Sequence, residues 1–115
     1  MNFNTYQKLA KRTDYRSKKE EERVFGNLLI HATLGLVGES GEFADKIKKI
    51  FRDRNGKLDR KLKHELMLEL GDVLWYLATA ARKLGLKLDD VAKANIAKLA
   101  SRQKRGVIKG DGDHR

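Results

Sequence analysis

The sequence predicts an all-α fold, a helical bundle of about four helices, on three observations. No proline interrupts its 115 residues. The stretches between glycines are rich in Leu, Lys, Ala, Glu and Arg, which propagate helix well. Apolar residues recur at helical spacing along most of the chain, and no segment alternates as a strand would. The length suits one domain, 1–115, composed of an N-terminal helix and basic linker (1–23), a helical core (24–105) and a glycine-rich tail (106–115). A hydrophobic fraction of 40% supplies one core, which argues against global disorder although 37% of the residues are charged.

Each element has its own signal. Phe3, Tyr6, Leu9 and Ala10 share one side of a short helix over 3–12, with Asn2 or Asn4 as its cap. TDYRSKKEEER (13–23) is charged without apolar period and reads as an exposed linker or a solvated helical turn. A second helix is expected from Val24 to about Arg52. Gly35, Gly38 and Gly41 recur through its middle, each costing about 0.8–1 kcal/mol relative to alanine in a helix interior. Either the helix breaks there or a neighbour comes close. Asn55-Gly56 supplies a turn, and Asp59 is placed to cap a third helix over 60–84 that Gly85 ends. A fourth helix follows from near Leu88 to about Arg105, with Asp89 and Asp90 in its first turn, where the helix dipole favours anions.

Composition narrows the functional classes. Without cysteine, no disulfide framework or thiolate metal site can form, which fits an intracellular protein. The N-terminal residues lack the apolar core of a signal peptide, and the longest apolar run, 28–37, is too short and too interrupted to span a bilayer. The expectation is a soluble, cytoplasmic protein. A net charge of +10, from 26 Lys and Arg against 16 Asp and Glu, favours polyanionic partners: nucleic acid, nucleotides or an acidic membrane surface.

Against that basic background stand two acidic pairs in apolar surroundings. Glu39 and Glu42 lie three apart within LVGESGEFADKI, and Glu69 and Asp72 lie three apart within MLELGDVLWYL, with Glu65 one turn earlier. Residues three or four apart share a helix face, so each pair projects together. A single such pair usually marks a solvated face. Two on successive helices, each enclosing a glycine and bordering apolar residues, converge if the helices pack antiparallel. Four clustered carboxylates must then take up protons or bind cations. Oxygen-only ligation suits Mg²⁺, or Mn²⁺ in its place, rather than zinc, and Mg²⁺ completes its octahedron with waters and substrate phosphates. On the fourth helix, Asn95, Lys98 and Arg102 form one stripe that could hold phosphate oxygens, or simply be exposed cations.

The ordered pair E-x-x-E and E-x-x-D, set in LGLVGESGEFADKIKK and ELGDVLWYLATAARKLGL, resembles the MazG-like nucleoside triphosphate pyrophosphohydrolases. ANIAKLASR is similar to the third motif of that family, and RGVIKGDGDHR to the tail of its short single-domain members. The resemblance runs from about Leu28 to Arg115. It implies an all-α NTP pyrophosphatase fold, assembled as a homodimer or homotetramer. The implied reaction is Mg²⁺-dependent hydrolysis of a nucleoside triphosphate to the monophosphate and pyrophosphate. Carried over by position, Glu39, Glu42, Glu69 and Asp72 are metal ligands, and one of them or Glu65 orients or deprotonates the attacking water. Asn95, Lys98 and Arg102 contact phosphate or sugar.

Trp75 is a candidate for base stacking beside the commoner role of core or interface residue. Lys109 and Arg115 are candidate anion contacts if the tail folds over phosphate rather than staying mobile. His31 is expected to be a hydrogen-bonded core residue. The rival from another class is a basic helical nucleic-acid-binding module, which explains the net charge but not the acidic pairs, since carboxylates repel phosphates. A catalytically silent, metal-stabilised oligomerisation domain is a third reading. Within the enzyme class, a housekeeping sanitiser of non-standard nucleotides competes with a hydrolase specific for dCTP, dUTP or an alarmone.

Overall fold

Five α-helices and no strand form among the described residues of a computed structural model, which describes 1–115 apart from the side chain of Phe25: α1 (Phe3–Ala10), α2 (Lys18–Phe25), α3 (Ile30–Arg54), α4 (Arg60–Lys83) and α5 (Leu88–Lys104). The all-α expectation holds, with one helix more than expected. The extra one is α2, which overlaps the segment (13–23) expected to be an exposed linker or a solvated helical turn. Its start is a capping box: Ser17 Oγ accepts from the Glu20 N–H at 3.1 Å, and the Glu20 carboxylate accepts from the Ser17 N–H at 2.9 Å. Gly26 closes it in the left-handed region at φ 67°, so α3 begins at Ile30 rather than Val24.

The other caps match their sequence signals. Asn2 accepts from the Thr5 N–H, and Asp59 accepts from the Leu62 N–H, both at 2.8 Å. Asp59 also pairs with Arg54 at 3.0 Å, which ties the end of α3 to the start of α4 across the Asn55-Gly56 turn. That short turn lays α3 and α4 antiparallel along their lengths, and they form the main helix pair of the fold.

The N-terminal helix fastens the far end of this hairpin. Gln7 on α1 donates to the carbonyls of Leu86 and Ala78, at 3.0 and 3.3 Å. Its amide oxygen accepts the Leu88 N–H at 3.1 Å, one of the orphan donors of an α5 that has no side-chain cap of its own. Ala78, Ala81 and Leu88 are the buried centre of this corner, packed against Tyr6, Leu74 and Val91. Ile50 and Leu66 are buried nearer the α3–α4 turn. Elsewhere the faces turned away from the hairpin carry exposed apolar side chains, among them Leu34, Val37, Leu70 and Ile96.

The three glycines of α3 do not break it, because helix runs unbroken from 30 to 54. Only Gly35 meets a neighbour. A Cβ there would stand 2.0 Å from the Tyr76 ring on α4, whereas at Gly38 and Gly41 it would meet nothing within 4 Å. Close approach therefore explains Gly35, and within this chain it does not explain Gly38 or Gly41. Gly35→Ala should destabilise the fold by about 1–3 kcal/mol, because overpacking against a rigid ring outweighs the gain in helix propensity. Urea denaturation of the two proteins checks this, and equal or higher stability of the variant would contradict the packing described.

Candidate functional site

The antiparallel hairpin sets position 39 opposite 72, 35 opposite 76 and 46 opposite 65. As a result, carboxylate oxygens of Glu39, Glu69 and Asp72 lie within 4.8 Å of one another. Glu39 and Glu69 are half-buried between the helices, and Asp72 is exposed at their edge. Burial is the main reason the Glu39 carboxyl is pushed above its ordinary range, and the charges of Asp72, Glu69 and Glu42 add to it. An oxygen-only trio of this kind could hold a hard divalent cation, and a cation would relieve the repulsion that shifts Glu39.

The remaining acidic candidates sit further out. Glu42 is exposed and outside the trio, although its charge acts on Glu39. Glu65 turns to Lys46, whose Nζ lies 3.9 Å from it and 3.6 Å from Glu69. Lys46 is thus a tethered cation at the rim of the acidic group. Its signal was present in the sequence: it stands four residues after Glu42 and seven after Glu39, on the stripe that faces α4.

Beside Glu39 and Asp72 opens a cavity of about 430 Å³, whose walls include His31, Trp75 and Tyr76. Its other wall is Thr13–Arg16, from the segment read as a linker. Trp75 is fixed there by its indole N–H, which donates to Thr13 Oγ1 at 2.8 Å and to the Ala10 carbonyl at 3.1 Å. Its ring meets Tyr76 edge-to-face at 4.9 Å, and Tyr76 meets His31 in the same way at 5.8 Å. Burial, followed by the charges of Glu39 and Asp72, raises the Tyr76 hydroxyl above its usual pKa, so it is a neutral donor at physiological pH. His31 is half-buried, with Nδ1 3.6 Å from Glu21. Thr13, Asp14, Tyr15 and Arg16 are wall residues that the sequence did not mark as candidates. The Ser17-x-x-Glu20 box was the signal that their segment is ordered.

No residue of α5 lines this cavity. Lys98 and Arg102 instead hold the tail: both reach Asp113 Oδ1, at 3.1 and 3.2 Å, and Arg102 also donates to the Gly112 carbonyl. Hydrogen bonds from Lys98 and Arg102, followed by their charges, hold the Asp113 carboxyl below its ordinary range. Arg115 closes the tail on itself, donating to the carbonyls of Val107, Ile108 and Gly112. The tail is therefore folded, with Arg102 engaged through Nη2 and Arg115 through Nε, Nη1 and Nη2. Asn95 and Lys109 are exposed.

The family model described as the MazG nucleotide pyrophosphohydrolase domain matches residues 30–107. The Gene 37 protein of Mycobacterium phage L5 is 49% identical over 87 residues, covering 76% of this chain and 76% of its own. The uncharacterized protein YvdC of Bacillus subtilis (strain 168) is 38% identical over 72 residues, 58% of this chain and 68% of its own. No solved structure matches the chain.

The raised pKa of Glu39 means that the native protein holds this proton more tightly than the unfolded chain does. Its contribution to stability is therefore greatest below the unfolded value and is lost as pH rises through the folded one. In metal-free buffer, Glu39→Gln should be more stable than the parent at pH 7, with the difference vanishing below about pH 4. At a divalent-ion concentration 100 times Kd the parent should gain about 2.7 kcal/mol and the variant much less. Denaturation curves with and without the ion measure both effects.

Proposed function

Because this chain belongs to the MazG nucleotide pyrophosphohydrolase family, we propose that it hydrolyses a nucleoside triphosphate, NTP or dNTP, to the monophosphate and pyrophosphate with Mg²⁺ as cofactor. The observation that carries this reading is the convergence of Glu39, Glu69 and Asp72 beside a cavity walled by aromatic rings. Glu42, one turn from Glu39, completes the proposed ligand set, and Mn²⁺ is the natural substitute. The ion, when bound, neutralises phosphate charge and lowers the pKa of water.

The residues of the chain supply the rest. The two acidic pairs fix where the triphosphate can lie, and Glu65, freed from Lys46, is a further carboxylate able to accept a proton from water. Trp75, Tyr76 and Tyr15 offer ring faces and edges to a base, and Arg16 offers a guanidinium to phosphate or sugar. A basic helical nucleic-acid binder remains the rival on net charge, but a duplex gains nothing from the acidic cluster. A cytoplasmic role in clearing non-standard nucleotides suits this chemistry, and among the described residues no helix is long and apolar enough to cross a membrane.

A homodimer or homotetramer is part of the proposal. Leu34 and Val37 are 62% and 68% exposed on α3, and Ile96 is 67% exposed on α5, so three apolar positions on long helices lack cover. In this arrangement Asn95, Lys98 and Arg102 would meet substrate held by a second copy.

A panel of NTPs and dNTPs with Mg²⁺ should release pyrophosphate and monophosphate. Asp72→Asn or Glu42→Gln should lower the rate by roughly two to three orders of magnitude, the scale of losing one transition-state charge contact. Persistent pyrophosphate release in both variants would remove the site assignment. If nothing is turned over and duplex DNA binds with steep salt dependence, the nucleic-acid reading replaces this one. Light scattering should give a multiple of 13.2 kDa, and Val37→Glu together with Ile96→Glu should reduce it. A monomeric parent protein would refute the assembly.

A further inference from the structure

A second cavity, of about 490 Å³, adjoins the acidic one, and its charge is reversed. Lys11, Arg16, Lys18, Arg82 and Lys83 supply five cations to its wall. Asp14 and Glu21 supply the only two carboxylates, leaving a formal excess of three positive charges. The carboxylates are already engaged: Asp14 with Arg82, and Glu21 with Lys83. The side chains of Glu21 and Lys83 are 2% and 7% exposed.

Such a buried pair is weak support for stability, since apolar residues of similar volume would do as well or better. α4 ends at this cavity, and the partial negative charge of a helix C-terminus by itself disfavours an anion. Arg82 and Lys83 answer that dipole from α4, and Lys11, Arg16 and Lys18 face it from the N-terminal segment.

The two cavities are neighbours, because Asp14 and Arg16 line both. Except for Arg82, Lys83 and Gly85, the wall of the cationic one lies outside the residues that match the family model, so it is a feature of this chain's N-terminal segment.

We propose that the cationic cavity is a binding site for a phosphate oligoanion of the pyrophosphate type. Lys11 and Lys18 are its exposed cations, while Arg82 and Lys83 keep its two carboxylates paired. The anion has two possible sources: the polyphosphate of the nucleotide in the neighbouring cavity, or free pyrophosphate. Either fits a compartment that attracts what the carboxylates of the next one repel. The proposal extends the pyrophosphohydrolase reading, but its test does not require turnover.

The experiment is calorimetric titration of the full chain with pyrophosphate in metal-free buffer, with Trp75 fluorescence as the second readout. Trp75 is the single tryptophan and is bonded to Thr13, beside the shared wall. Pyrophosphate should bind, and the double substitution Lys11→Ala with Lys18→Ala should weaken binding at least about tenfold, as expected for lost charge-assisted contacts. Both positions are exposed, so the variant should keep its parent's unfolding midpoint. Lys11→Arg with Lys18→Arg should retain binding, and so should Asp72→Asn.

An α,β-methylene nucleotide analogue with Mg²⁺ separates the sources. Competition with pyrophosphate and weakening in the alanine variant identify the substrate's own phosphates, while simultaneous binding of both identifies a free-anion site. No pyrophosphate binding by the parent, or equal binding by the alanine variant, would overturn the proposal. Pyrophosphate binding lost in the alanine variant, in a protein that hydrolyses no triphosphate, would uphold the cavity while overturning the proposed reaction.

Discussion

Like charges held against one another between two antiparallel helices are the constraint around which this molecule is organised. Glu39, Glu69 and Asp72 would separate if the α3–α4 hairpin were free to slide, since three carboxylates within 4.8 Å repel strongly in a partly desolvated gap. The hairpin is pinned on both sides of them. Toward the turn, Ile50 and Leu66 are buried and Asp59 clasps Arg54. Toward the open end, the Tyr76 ring sits against the bare backbone of Gly35. The repulsion is thereby stored locally, where Lys46 offsets part of it and a divalent cation can offset the rest.

The N-terminal segment turns this acidic seam into a cavity. Gln7 binds both sides of the α4–α5 corner, Trp75 is fixed by Thr13 and Ala10, and Asp14 and Glu21 reach the cations at the end of α4. These contacts are polar and directional, so they fix the position of the segment as well as covering apolar surface. Through them Tyr15 and Arg16 come to face Glu39 and Asp72. The outcome is two adjoining compartments of opposite charge divided by one short stretch of backbone, a layout suited to handling a polyanion in the company of a cation.

The basic surplus of the chain takes on a more specific meaning in this light. Arg102 and Lys98 hold the tail, Arg82 and Lys83 end α4 in ion pairs, and Lys46 sits among carboxylates. These five of the 26 cations are committed, residue by residue, to internal partners, which the net charge does not reveal. Net charge alone is accordingly a poor guide to whether the molecule binds a nucleic acid or a nucleotide.

The sequence by itself determined the long helices, their caps and the facing of the two acidic pairs, because those depend on spacing and on contacts within one turn. Asp59, Asn55-Gly56 and Gly85 act where their local chemistry places them. Ser17 and Glu20 do so as well, and the capping box they form makes the helix they start legible despite the charge around it. What only the tertiary structure decided rests on contacts across the fold, and no local pattern encodes them. Glu39 joins Glu69 and Asp72 while Glu65 turns to Lys46, because helix rotation and register set which side chains meet in the gap. Gly35 is required and Gly38 is not, within this chain, because only one of them lies under an aromatic ring. Tyr15 and Arg16 reach the acidic cluster because hydrogen bonds and ion pairs spanning more than sixty residues fold the N-terminal segment across α4, a separation far beyond the reach of helical periodicity.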